Sequence, residues 1–240
     1  MYNLCIVWFL VERNRIMILL TEKQKNIIKE CVEWGICIII AIIVALFIRY
    51  YVGTPTKVEQ TSMYPTLKPE SRLWLNRLSR TFKEMPKRDE IITFEAPTDG
   101  KEPDINNPVA KYDNEPKSLF NKFSYYVLEY KNFEVKGGKK KQSFIKRVIA
   151  LPGEHVKIEN GKVYINGNEL EEKYLPNGVY TTSENKPYVD IIVPENCIYA
   201  LGDNRGNSKD CRNFGCIPFE KIEGKVLFRY WPLNVFGKVE

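Results

Sequence analysis

An unbroken apolar run lies near the N-terminus of the chain. Residues 34–48 (WGICIIIAIIVALFI) carry no charge, and the stretch continues through Arg49, Tyr50 and Tyr51 to Val52. A helix of 19 residues spans roughly 28 Å, close to a hydrocarbon core of about 30 Å. Because the run has no polar face, we predict a transmembrane anchor over residues 32–52 rather than a buried core helix. The alternative is a cleavable signal peptide, but no A-x-A-like site follows the run.

The charges on either side of the run predict its orientation. Basic residues on the N-terminal side are Arg13, Arg15, Lys23, Lys25 and Lys29, against Lys57 and Lys68 on the other side. This excess predicts a cytoplasmic N-terminal segment over residues 1–31 and a globular part outside the membrane. Met17 is a more natural first residue for the chain. Residues 1–16 are therefore either a misassigned start or a weak interfacial segment.

Beyond Pro55 the pattern changes to short runs typical of β-strands. HVKIE, Asn160-Gly161 and KVYIN form a strong signal for a hairpin with a type I′ turn. Further strands are predicted at 72–75, 90–94, 123–135, 143–151, 188–193 and 225–231. No long amphipathic helix follows the apolar run, so the predicted class is mainly β, with an N-terminal transmembrane helix before it. A Lys-, Asn- and Pro-rich stretch, 97–142, is predicted to be an insertion or a long mobile loop.

Composition and charge narrow the function classes. The chain has 240 residues, 44% of them apolar, enough for one good-sized domain plus accessories. A net charge of +6 fits anionic lipid headgroups, whereas nucleic-acid binding is disfavoured because no recognition motif accompanies the basic residues. The six cysteines contain no CxxC pair. A Cys211–Cys216 bridge and free thiols both remain open.

A single histidine, His155, limits the catalytic chemistry. It lies at the entry to the predicted hairpin and is expected to be an exposed residue near a turn. A HExxH-type zinc site and the phosphate-binding glycine loops are absent from the sequence. We therefore predict neither a metal nor an organic cofactor.

Three short patches remain: SMYPTL at 62–67, KRVIALPGE at 146–154, and GDNR at 202–205, which continues through Ser208, Asp210, Arg212 and Gly215. Singly, each is explained by an ordinary turn or a solvated strand. Together, in this order behind one anchor, they resemble type I signal peptidases over residues 30–235, more weakly between 97 and 142.

The resemblance implies a membrane-bound serine endopeptidase that removes N-terminal signal peptides from exported preproteins and cuts after small residues at −1 and −3. It implies a β catalytic core over 56–153 and 197–240, with a small β cap over 154–196. The expected partners are secretory preproteins and the lipid bilayer, close to the secretion translocon. The enzyme would be a single-pass protein of the cell membrane, with its catalytic domain on the extracytoplasmic face.

Residue by residue, the motifs assign the catalytic machinery. Ser62 matches the nucleophile and Lys146 the general base. Ser208 matches the hydroxyl that orients the lysine, and Asp210 and Arg212 match a structural acid–base pair.

The resemblance also assigns the substrate contacts. Phe144 and Ile145 match the strand edge with which a substrate pairs, and Val58 matches a lining position of the substrate pocket. The Ser62 backbone N–H is an expected oxyanion donor. Gln60 stands where the family often has Gly or Ser, so its part in the oxyanion hole is open.

The assigned chemistry is physically consistent. An exposed lysine has a pKa near 10.4, so only about 0.4% is neutral at pH 8. Burial lowers a lysine pKa, and the apolar neighbours Phe144, Ile145, Val148 and Ile149 are expected to exclude water from Lys146.

Three alternative functions fit the sequence less well. A self-cleaving Ser–Lys protein of the SOS-repressor type would need a DNA-binding helical domain where the anchor lies. An inactive homologue acting as a membrane assembly factor is disfavoured because Ser62 and Lys146 are both present. A basic peripheral lipid-binding protein would leave the three patches unexplained.

Overall fold

A computed structural model describes residues 21–98, 104–113, 125, 130–131, 139–140 and 142–239. The chain divides into two units, Met1–Phe47 and Ile48–Glu240. The second unit is built mainly from β-strands, which confirms the predicted class. Residues 1–16, including the proposed alternative start, lie outside the described residues.

The first unit contains helix α1, Glu22–Phe47. The Gln24 backbone N–H contacts Thr21 Oγ1 at 3.4 Å, and the Thr21 N–H donates to Gln24 Oε1 at 2.9 Å. This reciprocal cap and a Glu22–Lys25 ion pair at 2.8 Å start the helix ten residues before the predicted anchor. None of its side chains is buried, and it is the one helix in the described chain long and apolar enough to cross a membrane.

A seven-stranded antiparallel sheet forms the larger layer of the second unit. Its order is β1-β2-β13-β3-β6-β11-β12. The strands are β1 Gly53–Lys57, β2 Arg72–Asn76, β3 Ile91–Glu95, β6 Ser143–Ala150, β11 Cys197–Leu201, β12 Ile217–Pro218 and β13 Ile222–Trp231. Three of them, β1, β11 and the two-residue β12, were not predicted from the sequence.

A four-stranded sheet, ordered β10-β7-β8-β9, forms the smaller layer. Its strands are β7 His155–Glu159, β8 Lys162–Ile165, β9 Asn168–Glu169 and β10 Asp190–Ile192. The predicted β7–β8 hairpin is confirmed, since Asn160 and Gly161 have φ angles of 52° and 79°, as a type I′ turn requires. Val156 and Val163 of the hairpin belong to the same buried cluster as Val148 and Ile198, so one core joins both sheets.

Short elements complete the described chain. They are a π-helical turn Ile48–Val52, helices α2 Leu78–Thr81 and α3 Cys211–Phe214, two 3₁₀ turns Phe219–Lys221 and Leu233–Val235, and a ribbon of β4 Tyr130–Lys131 and β5 Lys139–Lys140. Cys197, Cys211 and Cys216 are buried free thiols, so the open question of a Cys211–Cys216 bridge is answered in favour of free thiols.

Residues 104–110 of the 97–142 stretch contact the chain just before β12. Val109 forms a parallel bridge with Cys216, and the Cys216 N–H donates to Pro108 O at 2.6 Å. The Asp104 N–H donates to Tyr188 Oη at 2.9 Å, which ties this segment to the smaller sheet as well. Most of the strand predicted at 123–135 lies outside the described residues.

Candidate active site

Ser62 lies in a tight turn between β1 and β2. The turn is anchored by its own apolar side chains, because Met63 and Leu67 are fully buried and pack in a cluster with Val58. The Leu67 N–H donates to Met63 O at 2.8 Å, and the Val58 N–H donates to Ser71 O at 2.9 Å. The burial of Met63 directly after Ser62, and of Val58 and Leu67 further along the turn, thus holds the Ser62 backbone in place.

Lys146 reaches this turn from the middle of β6. Its Nζ donates to Ser62 Oγ at 2.8 Å and to Ile145 O at 2.9 Å. The side chains lie on residues 84 positions apart, and both are buried, with 6% of Ser62 and 1% of Lys146 exposed. The structure therefore brings together the two residues that the motifs assign to the chemistry.

Burial controls the protonation of Lys146. Desolvation lowers the pKa of Lys146 from 10.5 to about 8, against the opposing charges of Asp210 and Asp203, which raise it. Among the described residues, no carboxylate forms an ion pair with this amine. The Phe144 ring lies 5.3 Å from Nζ and provides part of the apolar surroundings. The amine is thus held in a site where its neutral form is accessible near pH 8.

The loop after β11 holds the Ser62 backbone from the other side. The Asn204 N–H donates to Ser62 O at 3.0 Å, and Asn204 Nδ2 donates to Thr61 O at 3.1 Å. A methyl group on Gly202 would collide with Ser208 Oγ and would lie 2.5 Å from Ser62 O. Only glycine allows the loop to approach the serine this closely.

Ser208 lies next to this contact. Its Oγ is buried and has no hydrogen-bond partner among the described residues, and Lys146 Nζ donates to Ser62 and Ile145 instead. The expected orienting role of Ser208 toward Lys146 therefore stays a prediction.

Asp210 and Arg212 form a fully buried ion pair. Arg212 Nε and Nη2 donate to the two carboxylate oxygens, each at 2.8 Å. Asp210 also caps helix α3 and accepts the Gly202 N–H at 3.1 Å. The pair thereby connects α3 to the glycine that touches Ser62.

A second buried pair was missed from the sequence. Arg147 Nε and Nη2 donate to Asp203 Oδ1 and Oδ2 at 3.0 and 2.8 Å. Both residues lie inside the quoted motifs, and the available signal was their opposite charges, one within β6 and one in the loop after β11. The pair links β6 to the loop that holds Ser62.

A cleft of about 370 Å³ lies beside the start of β6, and its lining ends at Ile145 and Gln60 without including Lys146 or Ser62. Val58, Gln60, Phe144 and Ile145 line it, together with Thr56, Lys57, Glu59, Thr93, Gln142 and Ser143. β6 pairs with β3 along Ser143–Arg147, but with β11 only from Arg147 to Ala150. Within the described chain, the edge of β6 at residues 143–146 that faces away from β3 has no strand partner.

The sequence of this chain is similar to those of known proteins. A family model described as "Signal peptidase, peptidase S26" matches residues 31–231. The chain belongs to this family. A probable signal peptidase I-2 of Synechocystis sp. is 32% identical over 90% of this chain and 82% of that protein. Signal peptidase I T of Bacillus subtilis is 30% identical over 89% of this chain and 91% of that protein.

Solved structures are also similar to this chain. A signal peptidase I from Enterococcus faecalis is 27% identical, covering 59% of this chain and 97% of that chain, with a TM-score of 0.35. The family assignment rests on the sequence matches. This signal peptidase is accordingly a serine endopeptidase of the S26 type.

The single histidine of this signal peptidase lies apart from the Ser62–Lys146 pair. His155 is half-exposed on β7, and its Nε2 lies 2.7 Å from Asp190 Oδ1 of β10. It is therefore partnered within the smaller sheet and makes no hydrogen bond to Ser62 or Lys146. Among the described residues, no group of three or more His, Cys, Asp and Glu side chains is arranged to hold a metal.

Proposed function

We propose that this signal peptidase removes N-terminal signal peptides by forming an acyl-enzyme on Ser62, with Lys146 as the general base. The observation that carries the proposal is the 2.8 Å contact between Lys146 Nζ and Ser62 Oγ in a buried site. With a pKa of about 8, about half of the lysine is neutral at pH 8, compared with about 0.4% for an exposed lysine.

The proposed reaction has two stages. Neutral Lys146 takes the Ser62 proton as Oγ attacks the scissile carbonyl, and the resulting ammonium then protonates the leaving amine. Lys146 next takes a proton from the water that attacks the ester, and it returns this proton to Ser62 Oγ as the acyl–oxygen bond breaks. The contact of Nζ with Ile145 O supports this role, because it holds the amine in place without adding a negative charge.

The oxyanion of each tetrahedral intermediate needs aligned donors. The Ser62 backbone N–H is proposed as one donor. Gln60 is exposed on the cleft wall, and a flexible amide is poorly preorganised, so we propose that its side chain is dispensable.

The surrounding polar residues are proposed to support the pair. Asp210 and Arg212 brace the loop at Gly202, and Ser208 accepts a hydrogen bond from Lys146 during the reaction. The buried Ser208 hydroxyl, without a partner among the described residues, supports the second assignment.

Secretory preproteins are the proposed substrates. An extended peptide that adds to the open edge of β6 presents alternate side chains to the enzyme, so residues −1 and −3 face the same wall. Val58, Phe144 and Ile145 line that wall, which supports selection of small side chains at both positions.

Residues 32–52, which are the apolar end of helix α1 and the turn after it, are proposed to be the membrane anchor, with the N-terminus in the cytoplasm and the catalytic unit on the extracytoplasmic face. Lys23, Lys25 and Lys29 precede the apolar run and support this orientation. Protease added outside spheroplasts should digest or release the part beyond Thr54. Full protection of that part would reverse the orientation.

The catalytic proposal is tested by Ser62→Ala and Lys146→Ala. Each variant should abolish cleavage of a preprotein while the circular dichroism spectrum stays that of the wild type. Because residues that act as a unit are not additive, the double variant should be no worse than either single one. Sequencing the new N-terminus of the product verifies the cleavage position.

The controls also address the alternative function. Clear cleavage by Lys146→Ala would remove the lysine from the mechanism. A folded wild-type protein that leaves preproteins intact would instead favour the inactive assembly factor.

A further inference from the structure

A segment outside the motifs reaches the catalytic loop from the smaller sheet. This brace segment, residues 171–182, lies between β9 and β10. The Glu172 carboxylate accepts hydrogen bonds from both terminal nitrogens of Arg205, and the Nη1 contact is 2.8 Å long. Thr181 Oγ1 accepts from Arg205 Nη1 at 2.7 Å. The Arg205 side chain is fully buried and that of Glu172 is 12% exposed, so little solvent screens the pair.

Arg205 connects the brace segment to the loop that contacts Ser62. Its Nε donates to Gly202 O at 3.1 Å, and its own carbonyl accepts from Arg212 Nη2 at 2.9 Å. Gly202 packs against Ser62 O, and Asn204 donates to the same oxygen. The position of the nucleophile backbone therefore depends on a guanidinium whose carboxylate partner is Glu172.

The brace segment also touches the lysine side of the site. Tyr174 Oη donates to Glu172 Oε1 at 2.6 Å, and the Tyr174 ring lies 3.9 Å from Arg147 Cζ. Arg147 directly follows Lys146 on β6 and pairs with Asp203. Glu172 and the ring that it orients thus contact both the chain carrying the base and the loop holding the nucleophile.

We propose that Glu172 is a positioning residue for the Ser62–Lys146 pair, acting through Arg205 and through the Tyr174 ring over Arg147. This proposal rests on the Ser–Lys chemistry proposed above and extends it to the smaller sheet. Glu172 is not among the residues that line the cleft, so its loss should alter the alignment of the reacting groups without altering substrate binding.

The test compares Glu172→Ala with a matched neighbour in the full-length protein in detergent. Glu171 is exposed and pairs only at 3.4 Å with the equally exposed Lys173, so Glu171→Gln is the control. Steady-state cleavage of a preprotein should show kcat lowered about ten- to a hundredfold in Glu172→Ala, with KM within about threefold of wild type. Glu172→Gln keeps an acceptor oxygen and should recover part of kcat.

The outcomes separate the proposals. A kcat equal to that of Glu171→Gln, or a raised KM with unchanged kcat, would overturn the role of Glu172. If Glu172→Ala does not fold, Glu172→Gln decides: kcat severalfold below the control supports the role, and equality overturns it. Ser62→Ala is run in the same assay, and its retention of cleavage would overturn the Ser–Lys chemistry and the positioning role with it.

Discussion

Lys146 and Arg147 are adjacent on β6, and each is only 1% exposed, yet their surroundings differ in kind. Arg147 has a carboxylate partner, Asp203, in a two-pronged ion pair and a tyrosine ring beneath its guanidinium. Lys146 meets a hydroxyl, a carbonyl and the Phe144 ring. Alternation along the strand sends one cation to an ionic cluster and the other to an apolar site.

The difference shows that burial alone does not define a base. A buried cation with a carboxylate partner is held in its charged form, whereas one without a partner loses its proton more easily. A guanidinium is not deprotonated in proteins, so arginine suits the structural position. Lysine has an accessible neutral form, so it suits the position that acts as the base.

The largest effect is expected when Lys146 is replaced by arginine, the residue type of its neighbour Arg147. Lys146→Arg keeps a buried cation but removes the neutral form, so kcat should fall by about 10² to 10⁴, the usual contribution of a general base. Single-turnover cleavage of a preprotein measures this. Lys162→Arg, an exposed lysine on β8, is the matched control and should cleave normally. Near-normal cleavage by Lys146→Arg would refute the need for a neutral amine.

A second substitution tests the structural role of Arg147 on the same strand. Arg147→Ala leaves the Asp203 carboxylate buried without its partner, which should reduce the free energy of unfolding by about 3–5 kcal/mol. Lys57→Ala breaks an exposed pair with Glu70 and should cost less than about 1 kcal/mol. Urea denaturation of both variants gives the comparison. Equal losses would mean that the buried pair contributes no more than a surface one.

The mildest perturbation is a change of pH. Because Lys146 acts when neutral, kcat/KM should rise about tenfold per pH unit at low pH and level off above a pKa of about 8. His155→Ala should give the same profile, since His155 pairs with Asp190 away from the site. A profile controlled by a group that disappears in His155→Ala would contradict the assignment of the base.

Local signals in the sequence predicted the smaller sheet better than the larger one. The β7–β8 hairpin follows from Asn160-Gly161, whose turn geometry is encoded within a few residues. β1 was missed because it contains Pro55 and no apolar alternation, and it becomes a strand only by pairing with β2. β11 is buried throughout, so its sequence CIYAL has no two-residue period to recognise.

The residues of the site divide in the same way, into those that short motifs identify and those that only the folded chain identifies. Ser62 and Lys146 were predicted through short motifs, but their contact spans 84 residues and exists only in the folded chain. Glu172 lies outside every motif, and its partner Arg205 is 33 residues away. A solvated glutamate and a buried one look alike in sequence, so only packing distinguishes Glu172 from Glu171.

The buried lysine also links the stability of the fold to pH. The pKa of Lys146 is about 8 in the folded chain, whereas an unfolded lysine has a pKa near 10.5, so the unfolded chain binds more protons between these values. Folding stability from this residue is therefore lowest below pH 8 and rises as pH increases toward 10.5. The full difference is about 3 kcal/mol. The contribution of Lys146 to stability thus grows over an alkaline range that begins where the amine becomes neutral, so deprotonation of this one side chain favours both catalysis and folding.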